Sequence, residues 1–209
     1  MPYGRFTDGS TENREACDLM FDLLRELNDP ALRAALDEIT SQFTGDDVGR
    51  QIALIRDLGA QYSHSITPAA EAVPSDPSTF RYTCFQHAFE LIDPPLAVVD
   101  IATLYPAVYP SAEFVEYLIA QHLTEVRVED THDADLVVYW ADAGIRHAGK
   151  VRERLIFSKW GTAHMWSHGL FQVPASYGNT VRFFLPISRD ESVEAFLAFA
   201  ESKLGFKLA

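Results

Sequence analysis

The stretch that most constrains this chain runs from Asp135 to Gly161, where three β-prone segments are separated by turn-sized breaks. The segments read DLVVYW, HAGKV and LIFSKWG, and the breaks read ADAGIR and RER. Branched and aromatic runs broken at such short intervals favour antiparallel pairing of neighbouring strands. The sequence therefore predicts a three-stranded antiparallel meander. His147 begins its second strand among residues suited to burial, so it is either a satisfied core group or a chemical one.

A capped cysteine precedes this meander. Thr83 and Gln86 have the spacing of a capping box, which predicts a helix whose first residue is Cys84. Apolar residues then follow at helical spacing on one face: Phe85, Ala88, Phe89 and Ile92. The positive end of a helix favours a thiolate, so the sequence predicts a Cys84 pKa below the ordinary value of about 8.5.

Cys84 and His147 together indicate nucleophilic catalysis by a thiol. Such chemistry needs a thiolate, an imidazole that shares its proton and a third polar group that orients the ring. The third strand supplies candidates for that group, because it pairs with the His147 strand and its side chains alternate between faces. Ser158 is preferred to Lys159, since a hydroxyl accepts a hydrogen bond from imidazole and an ammonium only donates. His168 is the reserve orienter.

The combined pattern resembles the NlpC/P60-type branch of the papain-like cysteine peptidases. The resemblance rests on the helix-borne Cys84, the segment ADLVVYW and the HAGKV strand of His147, and it covers residues 80–184, about half the chain. It implies an α+β fold in which a Cys-bearing helix packs on an antiparallel sheet, with an N-terminal helical extension. It also implies cleavage of an amide through an acyl-enzyme on Cys84, with His147 as base.

The expected function is thus a cysteine peptidase or amidase, and the resemblance implies peptidoglycan-type peptides as substrates. A toxin, effector or intracellular amidase fits the same pattern. Two other functions stay open: a thiol acyltransferase, and a catalytically silent binding module that keeps the papain-like shape. The predicted substrate-binding residues are Lys159, Trp160 and His168, although Trp160 is also a candidate for the core.

Metal binding is a further hypothesis, because two spacings in this chain occur at zinc sites. These are Cys84-x-x-His87 and His164-x-x-x-His168, to which His147 is a possible added ligand. However, the second pair lies in a segment of loop-like composition that ends in Gly169, and His87 is expected to face solvent. The sequence therefore predicts neither a metal nor a cofactor.

The remaining sequence predicts an N-terminal helical unit (residues 1–62), a proline-rich linker (63–79) and the papain-like region (80–209). Helices are predicted at 12–28, 31–43 and 46–62, with Cys17 on the buried face of the first. Three roles stay open for these predicted helices: a scaffold, a lid or a surface for a protein partner. Further along, 93–109 is predicted as a packed loop and 126–128 as an edge strand. A strand is also predicted at 180–187, and helices begin after Ser111 and Ser188, the latter in a second capping box.

Charge and hydropathy exclude two classes of partner. The net charge is −13, from 17 Lys and Arg against 30 Asp and Glu, whereas phosphate-backbone binding draws on basic clusters. No apolar run approaches the roughly 18 residues of a membrane span, and no apolar signal segment opens the chain. The sequence therefore predicts a cytoplasmic protein with free thiols and a peptide or amide substrate, although non-classical export leaves no such trace.

Overall fold

Seven strands form one antiparallel sheet in the part of the chain that the structure describes. The computed structural model describes residues 28–42, 48–70, 82–161 and 164–208. The strands are β1 (Thr67–Pro68), β2 (Glu125–Val126), β3 (Leu136–Ala141), β4 (Gly144–Arg152), β5 (Leu155–Lys159), β6 (Met165–His168) and β7 (Thr180–Phe184). Their order in the sheet is β1-β6-β5-β4-β3-β7-β2. Strands β3, β4 and β5 are the predicted meander, which is confirmed.

Helices cover both faces of this sheet. Within the described residues they are α1 (Pro30–Ser41), α2 (Val48–Leu58), α3 (Cys84–Ala88), α4 (Leu96–Leu104), α5 (Ala112–Gln121) and α6 (Arg189–Leu204). Helix α3 packs against β4 and β5, so the expected α+β class with a Cys-bearing helix on an antiparallel sheet is confirmed. None of the helices in these ranges combines the length and apolarity needed to cross a bilayer.

Strand β3 is buried on both of its faces, which explains its continuously apolar sequence. Leu136 and Val138 join the core that α5 and α6 build on one side, through residues such as Phe114. Val137 and Tyr139 join the core on the other side. A strand with only one buried face alternates apolar and polar residues, whereas one covered on both faces does not.

The N-terminal helices share a core with the sheet. Leu36 of α1 and Ile55 of α2 lie in the same cluster of buried residues as Val137. The prediction of an irregular linker is wrong at residues 67–68, which form β1 and pair with β6. Proline is accepted there because β1 is an edge strand, with one side free of ladder hydrogen bonds. The helix predicted at 12–28, with Cys17, lies outside the described residues.

Three other segments differ from their predictions. Helix α3 ends at Ala88 instead of reaching Ile92, and Glu90 then adopts a left-handed φ of 57°. Helix α4 forms where a packed loop is predicted, because the prolines flank it: Pro95 is its N-cap and Pro106 follows its end. The loop expected after Gly161 contains strand β6, whose four residues are all buried between β5 and β1.

Both predicted caps that open later helices are placed as expected. Ser188 and Glu191 form the second capping box at the start of α6. Ser111 is the N-cap residue of α5, but its side chain makes no capping hydrogen bond. The edge strand predicted at 126–128 is shorter and shifted: β2 pairs with β7, and Val128 begins a 3-10 turn.

Candidate active site

Cys84 begins α3, as predicted, inside a complete capping box. Thr83 Oγ1 accepts from the backbone N–H of Gln86 at 3.4 Å, and Gln86 Oε1 accepts from the backbone N–H of Thr83 at 2.9 Å. Because α3 packs on β4, the Cys84 sulfur reaches the backbone N–H of Ala148, the residue directly after His147. The capped helix therefore delivers the thiol to the strand that carries the histidine.

Burial raises the pKa of the Cys84 thiol to about 11. Backbone N–H groups of Ala148, Phe85 and Cys84 itself hydrogen-bond the sulfur and lower the pKa, but desolvation is larger. A helix of only five residues has few aligned peptide dipoles to oppose that desolvation. The direction is opposite to the lowered pKa that the sequence predicts, so Cys84 is a neutral thiol near pH 7.

A β-bulge directly before His147 sets the direction of this side chain. Tyr139 pairs with His147, whereas the next residue, Trp140, pairs with Ile145, so Arg146 is the additional residue. The bulge turns Ile145 towards the core of α5 and α6 and leaves His147 on the face of Tyr139. Bulges of this kind redirect side chains at the margins of functional sites.

The His147 ring is fully buried and has an unused hydrogen-bonding capacity. Neither of its nitrogens has a hydrogen-bond partner among the described residues. Burial holds the pKa of His147 well below its ordinary value, and His168 and His87 lower it further. The ring is therefore a neutral imidazole near pH 7, the form that accepts a proton.

Tyr177 covers the His147 ring from a 3-10 turn, Ala175–Tyr177. The two ring centroids are 4.0 Å apart and the planes are inclined by only 14°, which is a stacked contact. The backbone N–H of Gly161 hydrogen-bonds the phenol, whose pKa is raised by burial and by the nearby Cys84 sulfur. Sequence reasoning assigned no role to Tyr177, since its only local signal is the Tyr-Gly pair that closes a loop.

A cavity of about 370 Å³ is shared by these groups. Cys84, His147 and Tyr177 form part of its lining, and the segment 109–112 before and at the start of α5 forms another part. Tyr109, which lines the cavity, is 49% exposed, so the space reaches the protein surface. The structure therefore brings the predicted thiol and imidazole to the inner lining of one cavity, where both side chains are buried.

Ser158 lies on the same face of the sheet as His147 but hydrogen-bonds a different histidine. A Cβ atom on Gly149 would lie 3.0 Å from the Ser158 Cβ, so glycine in the His-x-Gly segment permits this close strand contact. Ser158 Oγ donates to His168 Nε2 at 2.7 Å, and His168 Nδ1 donates to the Gly169 carbonyl at 2.8 Å. The Ser158 hydroxyl also accepts from Trp160 Nε1 at 3.2 Å.

The three predicted substrate-binding residues lie in the core beside the site. Lys159, Trp160 and His168 are fully buried and are not among the described residues that line the cavity. The Lys159 ammonium lies 4.2 Å from the centroid of the Tyr82 ring. Trp160 packs against Trp166, with ring centroids 5.3 Å apart. These side chains support the strands rather than border the space where a substrate would lie.

His87 is turned away from solvent, contrary to its prediction. Burial lowers its pKa to about 4, with Lys150 and Lys159 acting in the same direction, and both ring nitrogens are buried without a partner among the described residues. Over the same residues, no group of three or more His, Cys, Asp or Glu side chains is arranged to hold a metal ion.

The function of the cavity has to be inferred from its own chemistry. The chain matches no protein-family model, no curated protein and no solved structure. What the site contains is a buried neutral thiol, a neutral imidazole without a hydrogen bond and a phenol stacked on that imidazole.

Buried histidines predict that the protein loses stability in mild acid. Burial lowers the pKa of His87, His147 and His168, those of His87 and His168 to about 4. In the unfolded chain these groups bind protons near pH 6.5, so their stabilising contribution is complete above that pH and is lost as the pH falls towards 4. With all three taking part, the free energy of unfolding should fall by up to about 4 kcal/mol per pH unit.

Urea unfolding at pH 7, 6 and 5 measures this slope. His168→Gln should remove about one third of it, because one of three proton-binding groups is lost. The same change at His132, whose side chain is exposed, is the control. A free energy of unfolding that is constant between pH 7 and pH 5 would contradict the assignment of these histidines as buried and neutral.

Proposed function

We propose that the protein is a cysteine-dependent hydrolase that cleaves an amide or ester through an acyl-enzyme on Cys84, with His147 as the base. The observation that carries this proposal is the shared cavity, which is lined both by the Cys84 thiol at the start of α3 and by the His147 imidazole of β4, a ring without a hydrogen bond among the described residues. The resemblance of the Cys84 helix and the His147 strand to NlpC/P60-type papain-like peptidases supports the same assignment.

The proposed reaction begins with a neutral Cys84 thiol and a neutral His147 imidazole. His147 accepts the thiol proton as the Cys84 sulfur bonds to the substrate carbonyl carbon, so the negative charge forms on the substrate oxygen. The backbone N–H groups of Cys84 and Phe85, which bond the sulfur before the reaction, would move to that oxyanion once the sulfur has bonded to the carbonyl carbon. A raised Cys84 pKa is compatible with this order, because no free thiolate has to exist before the attack.

The second half of the reaction returns both groups to their starting states. The His147 imidazolium donates its proton to the leaving amine or alcohol as the carbon–heteroatom bond breaks, which leaves a thioester on Cys84. Water, deprotonated by His147, then attacks the thioester carbonyl. The carbon–sulfur bond breaks, a carboxylic acid is released and the sulfur regains the proton from His147.

The substrate class is an acylated amine, of which a short peptide is the main example. A cavity of about 370 Å³ admits a side chain and an adjoining amide, at the small end of the usual range for ligand sites. Peptidoglycan-type peptides are proposed as substrates on the resemblance alone. An effector, a toxin or an intracellular amidase would use the same chemistry.

The absence of a hydrogen bond to His147 favours a second candidate function. Thiol hydrolases orient the imidazole with a polar partner, and in the described residues His147 has none. A binding module that retained the cavity would hold a peptide or acyl ligand without turning it over. A thiol acyltransferase would form the same acyl-enzyme as the hydrolase but pass the acyl group to an amine instead of water.

A panel of p-nitrophenyl esters of N-acetyl amino acids separates these functions. The hydrolase is expected to show an acyl adduct on Cys84 by intact mass and peptide mapping, followed by release of the free acid. An acyltransferase would pass the group to added glycinamide in preference to water. A binding module would show a raised Tm with the matching N-acetyl amides but no adduct. The absence of both adduct and release across the panel would contradict the hydrolase proposal.

A further inference from the structure

We infer that Tyr177 is the residue that positions the His147 base, and that Arg33 of α1 holds Tyr177 in place. This inference rests on the proposed function, because it assigns the orienting role that a third polar group has in other thiol hydrolases. It also gives the N-terminal helix α1 a part in the site.

The stacked contact supplies the positioning that hydrogen bonds do not. Rotation of the His147 ring about its side-chain bonds would break the parallel contact with Tyr177, in which the centroids are 4.0 Å apart. The centroid of the Tyr139 ring lies 5.5 Å from that of His147 and the two planes are inclined by 51°, so Tyr139 restricts rotation of the His147 ring less. Tyr177, His147 and Cys84 all line the same cavity, so the contact that limits rotation of the imidazole lies in the space that the thiol also borders.

Arg33 is buried, and its guanidinium hydrogen-bonds backbone carbonyls on both sides of Tyr177. Its Nε donates to the Val173 carbonyl at 3.2 Å and its Nη2 to the Gly178 carbonyl at 2.6 Å. The side chain is 2% exposed, so these charge-assisted bonds are shielded from water. Asp37, one turn further along α1, accepts from the Ser176 hydroxyl at 2.5 Å. Helix α1 therefore fixes the residues before and after the stacked ring.

Replacement of the Tyr177 ring tests this inference with two measurements that do not need a substrate. The first is the proton shifts of the His147 ring by NMR, which a stacked aromatic ring moves upfield. The second is the rate of Cys84 alkylation by iodoacetamide at pH 7. Tyr177→Leu should abolish the upfield shift and slow alkylation about tenfold to a hundredfold, as a misplaced catalytic group does.

Conservative changes distinguish positioning from general packing. Tyr177→Phe keeps the ring and should restore both the upfield shift and most of the alkylation rate. Arg33→Lys keeps the charge but loses the fork that spans two carbonyls, so it should reduce the shift and the rate together. The matched control is Tyr117→Leu, since Tyr117 contacts Phe199 at 5.7 Å in the core on the other face of the sheet. It should change neither measurement.

A parent spectrum without upfield-shifted His147 protons would overturn the inference before any variant is made. Alkylation at the parent rate in Tyr177→Leu would also overturn it. Where Tyr177→Leu fails to fold, Tyr177→Phe and Arg33→Lys decide: equal rates in Arg33→Lys and the parent would overturn the inference. The proposed function fails by a different result, an alkylation rate unchanged in His147→Ala, whatever the Tyr177 variants do.

Discussion

Cys84→Ala should form no acyl-enzyme with any donor, and His147→Ala should slow acyl-enzyme formation by about 10²- to 10⁴-fold. The first change removes the atom that bonds to the substrate. The second removes the proposed acceptor of the thiol proton, and general base catalysis contributes a factor of that size. The effect of the second change should be large here, because burial leaves Cys84 with a pKa of about 11 and almost no thiolate at pH 7.

Intact mass after a timed exposure to the active ester measures both changes. A cooperative thermal unfolding transition in each variant would show that it folds, even where loss of the buried His147 ring and its contact with Tyr177 lowers the Tm. Cys17→Ala is the matched control, because the sequence predicts Cys17 on the buried face of an N-terminal helix. This variant should form the acyl-enzyme at the parent rate. An adduct that maps to Cys17, or a His147→Ala variant as fast as the parent, would refute the assignment of the pair.

Gly178→Ala should lower the free energy of unfolding by more than about 3 kcal/mol. Gly178 has φ 96° and ψ 177°, a conformation nearly restricted to glycine. A Cβ atom there would lie 1.9 Å from the Trp140 carbonyl oxygen, and a backbone atom of a central strand cannot move away cheaply. Because Gly178 follows Tyr177 and accepts from Arg33, the shift should also slow Cys84 alkylation.

Gly205→Ala is the matched control for this prediction. Gly205 also has a positive φ, 73°, but an alanine Cβ there would meet no heavy atom within 4 Å from beyond the adjoining backbone, so the cost should be only about 1 to 2 kcal/mol. Urea unfolding followed by tryptophan fluorescence compares the two variants with the parent. Equal decreases in the free energy of unfolding for the two variants would mean that the contact with Trp140 adds nothing to the cost of backbone strain.

Local signals were sufficient for the elements that carry Cys84 and His147. The Thr83–Gln86 spacing predicts the start of α3, and the short breaks between apolar runs predict β3, β4 and β5. Each of these signals lies within a few residues of the feature that it predicts. Strand alternation predicts that only one of Ser158 and Lys159 shares the face of His147, and hydrogen-bonding chemistry then favours Ser158.

Features that depend on distant parts of the chain could not be predicted in this way. Tyr177 stacks on His147 from 30 residues further along the chain, and Arg33 of α1 bonds the carbonyls of Val173 and Gly178 on either side of Tyr177, so these contacts join residues far apart in sequence. The Cys84 pKa was predicted from the helix end, whereas the structure adds burial by β4 and β5, which outweighs it. Strand β6 contains Ser167 and His168 and directly follows His164, a polar composition typical of a loop, yet the sheet buries all four of its residues.

The claim that Cys84 and His147 work as a pair is tested most directly by the pH dependence of Cys84 alkylation in the parent and in His147→Ala. The parent should react at least about tenfold faster at pH 7, because His147 accepts the thiol proton during attack on iodoacetamide. The difference should close as the pH approaches 11, where the thiol ionises without a base. Profiles of Cys84 alkylation that coincide at every pH would contradict the pair.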